Sequence, residues 1–405
     1  MHRNVRMMWM MWVLAAVVSA ATIVASAAPQ VVSKYFPPRG EWQKREPGAV
    51  GLDKAKLDDA VAFAIANENP NPKDLAADIV NTFRNESPYN TLAGPAAPRA
   101  GANGLIIRHG LVAAEWGETG RADMTFSVTK TFLSTVVGLA VANGRIRDVK
   151  DRVAPYMPAG VDLFASPHNA PITWEHLLRQ TSDWSGTLWG QPDWADRPPR
   201  GQRPEQWPVR EMHDPGTCYK YNDVRVNVLA LATLYVMKRP IPEILKESIM
   251  DPIGASNGWH WEPYENAFVT IDGKRMASVP GGGHHGGGMF ISAWDLARFG
   301  YLFLNNGRWN GRQLVPETWM AMARTPGPAN PTYGFMNWFL NTPNAAGQRP
   351  FPSTPASSVT FQGNGQNIVF IDWEHDLVVV VRWIKGGSAL NDFLGKVLAA
   401  VSAGT

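Results

Sequence analysis

The chain holds a single cysteine, Cys218, in 405 residues. An internal disulfide, a zinc ribbon and a CxxC redox site are therefore excluded, and Cys218 reads as a structural residue. Charge is scarce too: 18% of residues are charged, below the ~25% usual for soluble proteins. The 38 basic and 35 acidic side chains leave a formal net charge of +3, with no run of like charge, so nucleic acid is a poor fit as a partner. After residue 28 there is no long apolar run, which excludes a polytopic membrane protein. What is present argues for an ordered, loop-rich globule. Hydrophobic residues make up 45% of the chain, and 37 glycines with 32 prolines point to much ordered loop. Seventeen tryptophans are many; aromatic loops can line a cleft, and core burial is the plainer role for each.

Arg3 and Arg6 precede an apolar stretch over 7–24, followed by Ala25-Ser26-Ala27-Ala28-Pro29. A basic start, an apolar middle and a small-x-small exit describe a secretory signal peptide over 1–27. An uncleaved anchor is the alternative, because 7–28 could just span a bilayer. Either way the body is expected outside the cytoplasm, with an extension over 28–50 and one domain over 51–405.

Asp53 is expected to cap a helix reaching residue 67, with Leu57, Val61 and Ile65 on one face. A second helix is expected within 69–90. Residues 104–108 and 111–116 are strand-like and meet at His109-Gly110, a hairpin signal. A long apolar helix then runs from 127 to 143 and stops at Gly144. Residues 191–208 are proline-rich and read as an extended surface loop. Strands over 367–373 and 377–383 and a helix over 388–402 complete the pattern, so strands at both ends should form one sheet.

Thr125-Phe126-Ser127-Val128-Thr129-Lys130 opens the long helix. Residues three apart share a helix face, so Ser127 Oγ and Lys130 Nζ can meet. A serine hydroxyl is a weak nucleophile until a base takes its proton. Burial and the positive helix end would both favour a neutral, basic Lys130. First-turn amides also leave the Ser127 N–H free for an oxyanion. The bland alternative is a capping serine and a snorkelling lysine.

The surrounding motifs resemble the serine β-lactamase and penicillin-binding-protein superfamily, in its class C-like branch with esterases and nylon-oligomer hydrolases. Asp214-Pro215-Gly216-Thr217-Cys218-Tyr219-Lys220-Tyr221-Asn222-Asp223 is similar to the family's proline-glycine-threonine turn and tyrosine, with an apolar helix after it. Residues 171–182 and 286–300 resemble two further shared stretches. The resemblance implies an α+β fold, β-lactamase/transpeptidase-like: an antiparallel sheet flanked by N- and C-terminal helices, a mainly helical region over about 127–291, and the site at the seam. It also implies an acyl-enzyme on Ser127, with Lys130 and Tyr221 moving protons. Tyr221 would need the positive field of Lys130 to act as a base, and Tyr219 is the competing tyrosine. Asp223 stands where the family usually has asparagine and is assigned with the oxyanion and substrate-binding groups.

The third motif departs from the family. Lys385-Gly386-Gly387 is followed by only one helix, so its topology is wrong for the usual lysine motif. Phe361-Gln362-Gly363-Asn364-Gly365-Gln366 has two strands and a helix after it, and an N–H near Gly363 or Asn364 would complete the oxyanion hole. Without the lysine, a β-lactam or peptide carboxylate lacks its cation, unless an arginine such as Arg382 compensates. Neither cofactor nor metal is expected. Gly281–288 lacks the phosphate-loop ending, and no HExxH is present. The adjacent His284 and His285 point apart and read as loop histidines at the cleft rim. Trp184, Trp189, Trp194 and Trp207 could bind an apolar substrate part or simply cap the helical region.

Three functions follow as expectations: an exported serine hydrolase of esters or amides, a β-lactamase or D-Ala-peptide carboxypeptidase, and a non-catalytic binding member of the fold. The expected partner is a small ester, amide or lactam, with a membrane only if the N-terminal segment stays as an anchor.

Overall fold

A computed structural model describes residues 34–198, 211–343 and 346–402. The signal segment and Trp207 lie outside the described residues. Among those residues, no helix is long and apolar enough to cross a membrane.

Five strands form the main sheet: β1 (Asn103–Arg108), β2 (Leu111–Trp116), β6 (Val359–Gly363), β7 (Asn367–Asp372) and β8 (Leu377–Arg382), in the order β6-β7-β8-β1-β2. All neighbouring pairs are antiparallel, with Leu105 opposite Val380 and Val369 opposite Val380 on the other side. The two ends of the chain thus share one sheet. Their alternating side chains divide cleanly, as the two-residue period of a strand requires. Ile106, Ile368, Phe370, Val379 and Val381 face helices α1 (Lys54–Ala66) and α6 (Ser388–Ala399), packing on Leu57, Ala60, Phe393 and Val397. Leu105, Ile107, Val369, Ile371, Val378 and Val380 join the larger core on the opposite face. There they meet α5 (Ala293–Leu304) and, beyond it, α3 (Thr129–Ala142), where Phe132 stacks on Phe299 with ring centres 3.8 Å apart. Hydrophobic strands buried on both faces explain the near-continuous valine run of β8.

Caps fall where the side chains allow. Asp53 accepts from the Lys56 N–H at the start of α1, and Ser292 accepts from the Asp295 N–H at the start of α5. A further helix, α2 (Leu75–Thr82), lies between the expected loops. Residues 34–50 pack onto the domain: Trp42 donates from Nε1 to the Gly110 carbonyl at 2.7 Å, and Lys44 bridges to Val112.

The region after α3 is less helical than expected. It contains α4 (Asp223–Met237), but its last third is mostly strand and turn. A small second sheet joins β3 (Asp123–Met124), β5 (Gly288–Ile291) and β4 (His260–Glu262), in the order β3-β5-β4. The first part of the proline-rich segment is also not a surface loop. Gln191, Asp193, Ala195 and Asp196 are buried, because Arg225 of α4 holds Asp193 and Asp183 at 3.0 Å each. Residues 199–210 lie outside the described residues.

Arg382 has a role the sequence did not suggest. It is buried at the end of β8, where Nη1 donates to the Ile291 carbonyl at 2.7 Å and Nη2 to those of Asp123 and Met124 at 3.0 Å. Its Nε donates to Asn367 Oδ1 at 2.7 Å. The side chain therefore stitches the large sheet to the small one, just before Ser127. With these donors engaged it cannot grip a substrate carboxylate, and that expectation is corrected.

Candidate active site

Ser127 sits where β3 turns into the central helix. The Thr125 N–H donates to the Met289 carbonyl at 2.8 Å, holding the chain against the small sheet. Phe126 then takes a left-handed conformation (φ 50°). That is costly for a bulky residue, and it persists because the ring is buried edge-on against Trp383. A short 3-10 turn, Phe126–Val128, leads into α3. No capping side chain is found there, so Ser127 is free of the bland role.

Lys130 Nζ lies 2.8 Å from Ser127 Oγ. The lysine is 1% exposed and also pairs with Asp223, the first residue of α4. Burial pushes the Lys130 ammonium toward neutrality, but the Asp223 carboxylate together with Tyr221 more than offsets this and holds the lysine above its usual range. The expectation of a neutral resting Lys130 is therefore corrected. Asp223 is corrected with it. Its side chain is 2% exposed and contacts Lys130, Arg197 (2.7 Å) and His284 (3.3 Å), so it is a counter-ion beneath the site rather than a group facing substrate. Burial would raise its carboxyl, yet Lys130 and Arg197 hold it well below the usual carboxylate range.

The tyrosine motif is fixed from below. Asn222 accepts from the Arg225 N–H at 3.0 Å as the cap of α4, and its own N–H donates to Gln180 Oε1 at 2.9 Å. The Gly216 and Lys220 N–H groups donate to Thr181 and Gln180 carbonyls, which explains why the 171–182 stretch accompanies this motif. Tyr221 is half-buried, with its ring centre 4.8 Å from Lys130 Nζ and 4.9 Å from the Arg197 guanidinium. Tyr219 instead packs on Tyr333, and burial pushes its hydroxyl far above the usual range. Geometry thus favours Tyr221 of the two.

The third-motif strand ends against Ser127. A side chain at Gly363 would collide with the Thr125 carbonyl and come within 3.2 Å of the Ser127 nitrogen, so only glycine lets β6 approach. Asn364 follows it, with its carbonyl accepting from Asn367 Nδ2 at 2.7 Å.

Several participants have no signature in the sequence. Gly282 is one: a Cβ there would strike both Asp223 and Lys130 and sit 3.2 Å from Ser127 Oγ. Gly282→Ala is expected to lower ester kcat/KM about ten- to a hundredfold with a loss of ~1–3 kcal/mol in stability. Steady-state kinetics beside a thermal melt checks this, and an unchanged rate would show that the backbone has room. Trp338 is another, stacked on Tyr221 with ring centres 5.6 Å apart while Tyr333 meets the same ring edge-on. Both arrive from an irregular segment whose position only the fold decides. Of the four tryptophans considered for the cleft, Trp184 is buried and donates to the Leu163 carbonyl at 2.6 Å, Trp189 packs against the core, and Trp194 is exposed beside Tyr89.

The glycine run also carries a correction. His284 and His285 are buried, not at a rim. His284 lies with Glu86 and Asp196, and one ligand atom from each falls within 4.8 Å of the others, close enough to hold a metal ion. Arg197 already pairs with Asp196, however, and both His284 ring nitrogens meet carboxylates.

The Beta-lactamase family profile matches residues 115–397. An uncharacterized protein of Alkalihalophilus pseudofirmus is 23% identical over 322 residues, 71% of this chain and 85% of that protein. The 6-aminohexanoate-dimer hydrolase of Paenarthrobacter ureafaciens is 26% identical over 235 residues, which is 53% of this chain and about half (55%) of that enzyme. Among solved structures, EstCE1, a hydrolase with promiscuous acyltransferase activity, shares the fold at a TM-score of 0.55 and 15% identity, covering 86% of this chain and 99% of that one. The matched span runs from β2 into α6 and so takes in the serine turn, the tyrosine motif and the third-motif strand. The chain belongs to the beta-lactamase family.

Proposed function

We propose that the protein is an exported serine hydrolase that cleaves esters or amides through an acyl-enzyme on Ser127. The observation that carries this is the 2.8 Å contact between Lys130 Nζ and Ser127 Oγ at the start of a buried helix. Ser127 Oγ attacks the substrate carbonyl carbon. In the resting geometry the Lys130 ammonium donates to that oxygen, so Lys130 must first release a proton; its neutral amine, with Tyr221 beside it, then takes the serine proton as the new bond forms. The Ser127 N–H and a backbone N–H at Gly363 or Asn364 receive the oxyanion. The leaving alcohol or amine takes the proton back, and water repeats the sequence to free the acid. Export rests on the N-terminal segment read above.

Esters and amides are preferred over β-lactams because, among the described residues, the two arginines that could grip a carboxylate are already engaged. Arg382 is spent on backbone carbonyls and Asn367, and Arg197 on Asp196 and Asp223. An enzyme named for hydrolysing a 6-aminohexanoate dimer is among the relatives, in keeping with this preference.

Intact mass after exposure to a fluorophosphonate, and separately to penicillin, tests the reading. One fluorophosphonate adduct, lost in Ser127→Ala, is expected. An adduct with penicillin would move the function to a β-lactamase or D-Ala-peptide carboxypeptidase. No adduct with either would turn it toward binding.

A further inference from the structure

Beneath the Ser127–Lys130 pair lies a row of groups, buried except for the half-buried Arg197, that the acylation scheme leaves unused. Glu86 comes from the short turn after α2, Asp196 and Arg197 from the proline-rich segment, and His284 from the glycine run. His284 stands between two acids, with Nε2 2.6 Å from Glu86 Oε2 and Nδ1 3.3 Å from Asp223 Oδ2. Phe83 stacks on its ring with centres 3.7 Å apart, which fixes the imidazole in that plane. Asp223 reaches Lys130, and Lys130 reaches Ser127. A continuous line therefore runs from Glu86 through His284, Asp223 and Lys130 to the nucleophile.

The charges around this line can be tallied. Arg197 donates its backbone N–H to Glu86 at 3.0 Å and pairs with both Asp196 and Asp223. Asp196 in turn accepts from the Asp223 N–H. Tyr221, Tyr264 and Tyr333 are the other titratable groups near Asp223 and Lys130. His285 lies beside His284, and burial drives its imidazole down to about 3, so it stays neutral. Three acids, Glu86, Asp196 and Asp223, thus face Lys130 and Arg197, and the cluster balances only when His284 is also charged. Burial alone would push the His284 imidazole down, but the surrounding carboxylates lift it to about 9. An unbalanced charge would be expensive at this depth.

Granting acylation at Ser127 as proposed above, we infer that His284 is a positioning residue of the reaction: as an imidazolium held between Glu86 and Asp223, it balances the cluster and so sets how tightly Asp223 retains the Lys130 proton. It touches neither substrate nor nucleophile and acts through Asp223 alone.

The test is the pH dependence of Ser127 labelling by a fluorophosphonate, followed by intact mass, in the wild type, His284→Asn, Glu86→Gln and the double variant. Asparagine keeps a donor toward Asp223 but no charge. His284→Asn leaves the cluster one charge more negative, so the midpoint of the rising limb should move up by about one pH unit, tenfold slower below it. Glu86→Gln leaves it more positive and should move the midpoint down. The double variant is balanced again and should return close to the wild-type midpoint. A purely structural role predicts slower labelling at an unchanged midpoint, with losses adding in the double variant, and that result overturns the inference. So does an equivalent of tightly bound metal in the purified protein, which would make the cluster a metal site. If His284→Asn does not fold, an unshifted midpoint in Glu86→Gln is enough to overturn it. A wild-type protein that is never labelled at Ser127 would defeat the acyl-enzyme reading itself, and this inference with it.

Discussion

Ser127→Ala is expected to abolish turnover, lowering kcat by about four orders of magnitude or more, while the protein still melts within a few degrees of wild type. The two halves of that statement have separate grounds. In the proposed reaction the hydroxyl supplies the atom that forms the new bond, so nothing else in the site replaces it. Structurally, its described contact is a single hydrogen bond from Lys130, and no helix N–H depends on it. Losing one such bond costs about 1 kcal/mol. A chromogenic ester assay and a thermal melt on the same preparations check both. Activity retained above a hundredth of wild type would remove Ser127 as the nucleophile.

Lys130→Ala is expected to cost more than ~100-fold in rate and, unlike the serine variant, to destabilise the fold. Lys130 is buried against Asp223, which would keep only Arg197 and His284 as cationic neighbours. Removing one partner of a buried charge network typically costs ~3–5 kcal/mol. The melting temperature should therefore fall clearly, and the rate must be compared well below the transition. Near-normal turnover in the folded variant would sink the paired serine–lysine machinery, whatever the melt shows.

Much of the scaffold was legible because it is local. The short apolar runs of β1 and β7, the cap at Asp53 and the apolar run of α3 each state their structure within a short stretch of chain. The serine–lysine pair is legible for the same reason, being one helical turn. What escaped depends on contacts across long stretches of chain. His284 meets Glu86 at a sequence separation of 198, and Arg382 meets Asp123 at 259. No periodicity connects such positions. Asp223 shows the limit well: its departure from the family's asparagine was visible, but the charges that make an acid tolerable there were not. The sequence therefore assigned it to substrate, whereas its neighbours make it the partner of Lys130. Arg382 failed similarly, because an arginine satisfied mostly by carbonyl groups looks in sequence like one awaiting an anion.

The Arg382 clamp has a bearing on how the protein is made. Ser127 leaves the ribosome long before Arg382, yet the strand that carries Ser127 into its turn is fastened by that arginine and by β5. Until β8 emerges, β1 has no partner on one side and the serine turn lacks its arginine clamp, leaving β5 alone to hold it. A nascent chain therefore carries the parts of a nucleophile without a working one, and its exposed strand edges invite association with other chains. Sheet closure between chain segments so far apart is slow. On the proposed function, the site is complete only once the last strand has docked.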